Sequence, residues 1–283
     1  MNFRKFTLQK VGLSFNFADN EKGKVICMSI AAEFININKH FPKSNYKALD
    51  NINISIEEGE LITILGTSGC GKTTLLKMVN RIYEPDSGEI KLFGQDIKEM
   101  DPVKLRRSIG YVIQQVGLFP HMTIYNNIAT VPKILGWDKT RIRNRVEELF
   151  ELVNLDYKEF KDRYPAQLSG GQQQRIGLAR ALAADPSLML LDEPFGAIDA
   201  INREKLQDEL IRIHVASKKT FLFVTHDINE AFKLGTKVLI MDSGHVKQFA
   251  TPSEIIKNPA DEFVQTLIRS ASKQYFDTDG GGI

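Results

Sequence analysis

Gly66-Thr67-Ser68-Gly69-Cys70-Gly71-Lys72-Thr73-Thr74 follows a short apolar run, Leu61 to Leu65, and leads into Leu75-Leu76-Lys77-Met78. A buried strand, a glycine-rich turn and a helix therefore succeed one another, which is the context a phosphate loop requires. The glycines let the backbone curl until successive N–H groups converge on phosphate oxygens. Lys72 adds a point charge at the β- and γ-phosphates, and the Thr73 hydroxyl is of the type that ligates Mg²⁺.

Further apolar runs at Leu188 to Leu191, Thr220 to Thr225 and Lys237 to Met241 are short and bounded by turn residues, as buried parallel strands are. Helices are expected after Lys72, after Ser169, around Asn202 and around Asn229, so the fold class is α/β with a mostly parallel sheet. Between about Gly117 and Pro165 the pattern changes to helical periodicity, clearest in Lys139 to Leu152, and reads as a helical insertion. Ala32 to Asn38 is the first well-patterned strand. Residues 1–30 read as an extension, and Lys22-Gly23-Lys24 ahead of Met28 is one reading of a translated ribosome-binding site, so native translation is expected at Met28. Residues 271–283, ending in three glycines, are expected to be a disordered tail.

Leu188 to Leu191 ends in Asp192-Glu193, which a neighbouring parallel strand would deliver beside the phosphates. Asp192 is then placed to hold Mg²⁺ and Glu193 to act as general base on a water. His226 closes another strand and can hydrogen-bond a terminal phosphate and the attacking water. Gln114, at the end of Ile109-Gly110-Tyr111-Val112-Ile113, offers an amide that ligates Mg²⁺ and orients water, with Gln115 as its rival. Asp199 follows the carboxylates by a short turn, as an N-cap or a contact to an opposite subunit. An adenine ring needs an exposed aromatic ahead of the loop strand, Phe41 or alternatively Tyr46. Cys70 reads as a small filler, oxidisable if the empty loop exposes it.

Ser169-Gly170-Gly171-Gln172, within LSGGQQQR, is a second helix start whose N–H groups and hydroxyl suit an anion. The first such start already serves the chain's own nucleotide, so this one is expected to serve a second copy, and the working unit to be a dimer.

The balance of 37 basic and 35 acidic residues leaves a net charge of +2, and no field of one sign calls for nucleic acid. Cys27 and Cys70 form no disulfide framework. No run approaches the roughly 20 apolar residues of a membrane helix, and the N-terminus lacks a signal-type stretch. A soluble, cytoplasmic chain is expected.

Taken in order, GTSGCGKTT, Gln114, LSGGQQQR, LMLLDE, Asp199 and His226 resemble the nucleotide-binding subunit of ATP-binding-cassette (ABC) transporters, over roughly residues 31–270. The resemblance implies an ABC-type P-loop fold with an antiparallel β subdomain and an α-helical subdomain at about 115–170. It implies ATP and Mg²⁺ as cofactors and a head-to-tail homodimer in which Ser169, Gly170, Gly171 and Gln172 complete the partner's ATP site. It further implies membrane permease subunits, an extracytoplasmic substrate-binding protein acting indirectly, and a place on the cytoplasmic face of the cell membrane. Tyr111 to Ile124, with Val131-Pro132-Lys133 and Gly136-Trp137, is similar to the branch importing quaternary-amine osmoprotectants such as glycine betaine, choline and carnitine. Many members of that branch carry CBS modules after the cassette, and none is expected within this sequence. The alternatives are a cassette for another small-molecule importer, an exporter or lipid-transport subunit, and a non-transport ATPase acting on nucleic acid or the ribosome.

Overall fold

A computed structural model describes residues 29–42, 47–114, 117–196, 198 and 200–276. Met28 and Cys27 lie outside the described residues, as do positions 277–283. The chain begins with two long strands, β1 (Ile30–His40) and β2 (Lys47–Glu57), then β3 (Leu61–Gly66) and α1 (Lys72–Val79). There follow β4 (Ser87–Leu92), β5 (Gln95–Asp96), α2 (Pro102–Ser108) and β6 (Ile109–Val112). A helical stretch carries α3 (Ile124–Ile128), α4 (Thr130–Ile134), α5 (Lys139–Leu152), α6 (Tyr157–Phe160) and α7 (Gly170–Leu182). The second half has β7 (Leu188–Asp192), α8 (Ala200–Ser217), β8 (Thr220–Val224), α9 (Ile228–Leu234), β9 (Lys237–Asp242), β10 (His245–Ala250), α10 (Pro252–Lys257) and α11 (Glu262–Phe276).

Two sheets organise these elements. The first is antiparallel, in the order β2-β1-β4-β5, and the second runs β10-β9-β3-β8-β7-β6, parallel except for β10. Every residue of β3, β7 and β8 is buried, which is why these strands read as unbroken apolar runs rather than alternating ones. Their two faces feed different cores. Met189, Leu191, Phe221 and Phe223 pack toward the helical side with α5, α7 and α8, while Leu188, Leu190, Leu222 and Val224 face α1 and the antiparallel sheet. On α5 the buried positions Ile142, Val146, Leu149 and Phe150 fall at i, i+4, i+7 and i+8, one helix face, and Asp138 caps its start through the Arg141 N–H at 2.9 Å.

Phe223 is fully buried, with its ring 5.7 Å from that of Phe195. Phe223→Ala is expected to cost about 3–5 kcal/mol of stability. Urea unfolding measures this, and a loss below about 1 kcal/mol would place the ring outside a packed core.

Two expectations change. The strand bearing Asp192 is not next to the phosphate-loop strand, because β8 pairs with both β3 and β7 and lies between them. Residues 271–276 are not a disordered tail. They continue α11, whose earlier turns seat Val264 in a core with Phe263, Leu267 and Ile268 packed against it. Among the described residues no helix is long and apolar enough to cross a membrane.

A candidate nucleotide site at the strand ends

The strand order decides which side chains meet. Reading across β3, β8, β7 and β6, the residues after their C-terminal ends are the phosphate loop, His226, Glu193 after Asp192, and Gln114. Parallel α/β sheets bind ligands at this edge.

Within the loop, Gly71 has φ +108°, and a Cβ there would lie 2.4 Å from the Ala48 carbonyl oxygen. The position therefore requires glycine, and the close approach sets the β1–β2 hairpin against the loop. Gly71 is also the N-cap of α1 and makes no side-chain cap, so the first N–H groups of that helix remain available to an anion. Lys72 is buried and its Nζ donates to the carbonyls of Gly66 and Thr67 at 2.8 and 2.9 Å. Cys70 is buried, contrary to the exposure that would make it oxidisable, and burial pushes its thiol pKa up, against the pull of Lys72.

The Thr73 hydroxyl donates to Asp192 Oδ1 at 3.0 Å. Burial raises the Asp192 carboxyl above its ordinary range, with the Thr73 hydrogen bond and the Lys77 and Lys72 charges opposing it. A cation arriving there relieves that desolvation, so the pair fits Mg²⁺. Glu193 adopts φ +46°, uncommon for a side-chain-bearing residue. Its N–H is fixed on the Val224 carbonyl at 3.0 Å. Its Oε2 accepts from Gln114 Nε2 at 3.3 Å and lies 3.3 Å from His226 Nδ1. One carboxylate oxygen thus joins the ends of β6, β7 and β8. A cavity of about 370 Å³ is lined by Ser68, Gly69, Gly71, Lys72, Thr73, Thr74, Glu193 and His226. A larger open groove, about 550 Å³, beside Trp137, Arg141 and Asp185 holds none of the candidate nucleotide-site residues.

Ser169 and Gln172 do not line the cavity. They form a capping box at the start of α7: Ser169 Oγ accepts the Gln172 N–H at 3.3 Å, and Gln172 Oε1 accepts the Ser169 N–H at 2.9 Å. Nothing lies within 4 Å of a Cβ built on Gly170. Phe41 is also apart from the cavity lining, its ring edge-on to Tyr83 at 5.3 Å. Tyr46, Gln115 and Asp199 lie outside the described residues.

The sequence profile of the family described as ABC transporter matches residues 49–196. That stretch contains the loop, Gln114, the α7 start and the carboxylate pair. The chain belongs to the ABC transporter family. It is 52% identical over 236 residues to the osmoprotectant import ATP-binding protein OsmV of Salmonella typhimurium, covering 82% of this chain and 62% of that one. To the glycine betaine/carnitine/choline transport ATP-binding protein OpuCA of Bacillus subtilis it is 54% identical, covering 80% and 59%. It thus spans about three fifths of the length of these curated relatives. Among solved structures, the dimeric ATP-binding cassette MJ0796 in a post-hydrolysis state bound to ADP and Pi superposes with TM-score 0.68 at 33% identity, covering 78% of this chain and 98% of that one. As an ABC transporter domain the chain binds nucleotide.

One group in this ABC chain escaped the sequence reading. Behind His226, the Thr225 hydroxyl donates to Glu230 Oε2 in a short hydrogen bond and accepts the Asp227 N–H at 3.0 Å. Gln207 Nε2, from α8, donates to Glu230 Oε1 at 3.1 Å. Burial raises the Glu230 carboxyl, and both hydrogen bonds oppose that shift. The only signal in the sequence is Asp227-Ile228-Asn229-Glu230, which reads as an ordinary acidic helix start.

Proposed function

We propose that this chain is the ATP-hydrolysing subunit of an importer for quaternary-amine osmoprotectants, working as an ATP-dependent head-to-tail dimer beneath membrane permease subunits. The observation that carries the ATPase reading is the shared Glu193 oxygen, within 3.3 Å of both Gln114 and His226 at the mouth of the Lys72 cavity. In this reading the glycine-rich loop from Gly66 to Thr74 and the α1 start cradle the phosphates, and Lys72 exchanges its two carbonyl partners for β- and γ-phosphate oxygens. Thr73, Asp192 and Gln114 would hold Mg²⁺, which would neutralise phosphate charge when bound. Glu193 accepts the proton of the attacking water, with Gln114 and His226 orienting the carboxylate. Phe41 leaves the edge of Tyr83 to stack on the adenine ring. Ser169, Gly170, Gly171 and Gln172 of the second copy close over the terminal phosphate, and Asp199 faces that copy across the interface.

The substrate class rests on the relatives, whose names specify osmoprotectant, glycine betaine, carnitine and choline transport. A substrate-binding protein outside the membrane selects the cargo, and the chain is peripheral on the cytoplasmic face. Uptake of labelled glycine betaine into liposomes, by this chain with the membrane subunits it co-purifies with, tests the class. ATP-dependent uptake abolished by Glu193→Gln is the expected result, and ATP hydrolysis without quaternary-amine uptake would reject the substrate.

Gly170 supplies a second prediction. Its Cβ position is open, so Gly170→Asp leaves the monomer folded but sets a negative charge where the partner's phosphate approaches. ATP-dependent dimerisation is expected to weaken by about tenfold or more, with nucleotide affinity of the monomer unchanged. Light scattering with ATP decides this, and an undiminished dimer would remove α7 from the interface.

A further inference from the structure

We infer that Glu230 is a positioning residue for His226, setting the main chain on both sides of the imidazole through the Thr225 hydroxyl. This rests on the ATPase reading and deepens it. The His226 side chain is 65% exposed, so packing does little to aim its ring; the backbone that carries it must do so. That backbone is held at two points by one oxygen. Thr225 Oγ1 receives the Asp227 N–H, on the far side of His226, at 3.0 Å, and its own proton goes to Glu230. Thr225 is further tied to the phosphate-loop strand, its N–H donating to Ile64 at 3.1 Å.

Glu230 is itself well fixed. Only 5% exposed, it uses one carboxylate oxygen for Thr225 and the other for Gln207 of α8, which is 8% exposed. A buried carboxylate is tolerated only when its oxygens are satisfied, so its geometry is stiff and is passed to the hydroxyl. One turn earlier on α8, Arg203 donates to the Ile198 carbonyl at 2.9 Å and lies 3.8 Å from Asp227. Helix α8 thus grips the segment after His226 from two positions one turn apart, Arg203 and Gln207.

Without the carboxylate, the Thr225 hydroxyl has no fixed orientation and the Asp227 N–H loses its aligned acceptor. The imidazole then drifts from its place 3.3 Å from Glu193. Misplacement on the ångström scale costs up to about a hundredfold in rate.

The test is steady-state ATP hydrolysis by the full chain carrying Glu230→Ala, Glu230→Gln, Gln207→Ala or His226→Ala, and the Glu230→Ala/His226→Ala pair. Glu230→Ala is expected to lower kcat about tenfold to a hundredfold with KM for ATP within about twofold, because the phosphate loop is untouched. Glu230→Gln, which can still accept from Thr225 and pair with a flipped Gln207 amide, should recover to within about threefold of wild type. The pair should be no slower than His226→Ala alone, since a residue acting through another adds nothing once that other is gone. Should Glu230→Ala fail to fold, the same cycle is run with Gln207→Ala, whose smaller loss should also vanish in the His226→Ala background. Multiplicative losses in the pair, or a Glu230→Ala enzyme as fast as wild type, would overturn the inference and leave the ATPase reading standing. A fully active His226→Ala would likewise overturn the inference, because no imidazole would then need placing, whereas a wild-type chain that does not hydrolyse ATP would sink the ATPase reading and this inference with it.

Discussion

Glu193→Gln is expected to lower ATP turnover about 10²- to 10⁴-fold while leaving ATP binding intact. The substitution keeps the size of the side chain and removes its ability to take a proton. The neighbours are not badly disturbed, because an amide oxygen still accepts from Gln114 at the present 3.3 Å. Binding is spared because Lys72, Thr73 and the loop amides are untouched. The nucleotide should then hold two copies together without being consumed, and gel filtration with ATP should show a stable dimer. Elution only as monomer would count heavily against α7 of one copy completing the site of the other.

Lys72→Ala should produce the other large effect, a loss of ATP affinity of about a hundredfold, or about 2.7 kcal/mol. Charge-assisted hydrogen bonds to phosphate are lost, and they outweigh the neutral-acceptor bonds to the Gly66 and Thr67 carbonyls, at 2.8 and 2.9 Å, that the ammonium exchanges for them. Titration calorimetry with a non-hydrolysable ATP analogue measures the change. Unchanged affinity would contradict the assigned contact, whatever happened to the rate.

Much of the central sheet could be read from the sequence because its strands are buried on both faces. Leu188 to Leu191 and Thr220 to Thr225 have no polar side to confuse the pattern, and both emerge as strands within a residue of the expected bounds. Strands β2, β4, β5 and β10 were harder. In β2 the alternation is clean from Asn51 to Ile56 but broken before it, where Ala48 and Leu49 are both buried and Asn51 sits at φ +52°. β10 has no buried residue at all. Strand order was invisible, since no local pattern says that β8 inserts between β3 and β7. The catalytic candidates were found because glycines, paired carboxylates and a strand-end histidine carry chemistry in their types and spacing. Glu230 was missed for the opposite reason: its importance lies in being buried against Gln207, 23 positions away, and a helix-start glutamate is ordinary until the tertiary fold removes it from water.

The capping box at Ser169 has a consequence for how a cycle resets. Its serine and glutamine satisfy each other's backbone N–H groups within one chain, so two of the N–H groups at the start of α7 are already paired when the chain is alone. If a neighbour's terminal phosphate draws the hydroxyl and the amides toward itself, it does so in competition with bonds of moderate strength that wait nearby. Once that phosphate is cleaved, the Ser169 hydroxyl and the Gln172 side chain have partners within their own chain to return to. On the proposed dimer reading, the contact that makes closure conditional also makes it temporary.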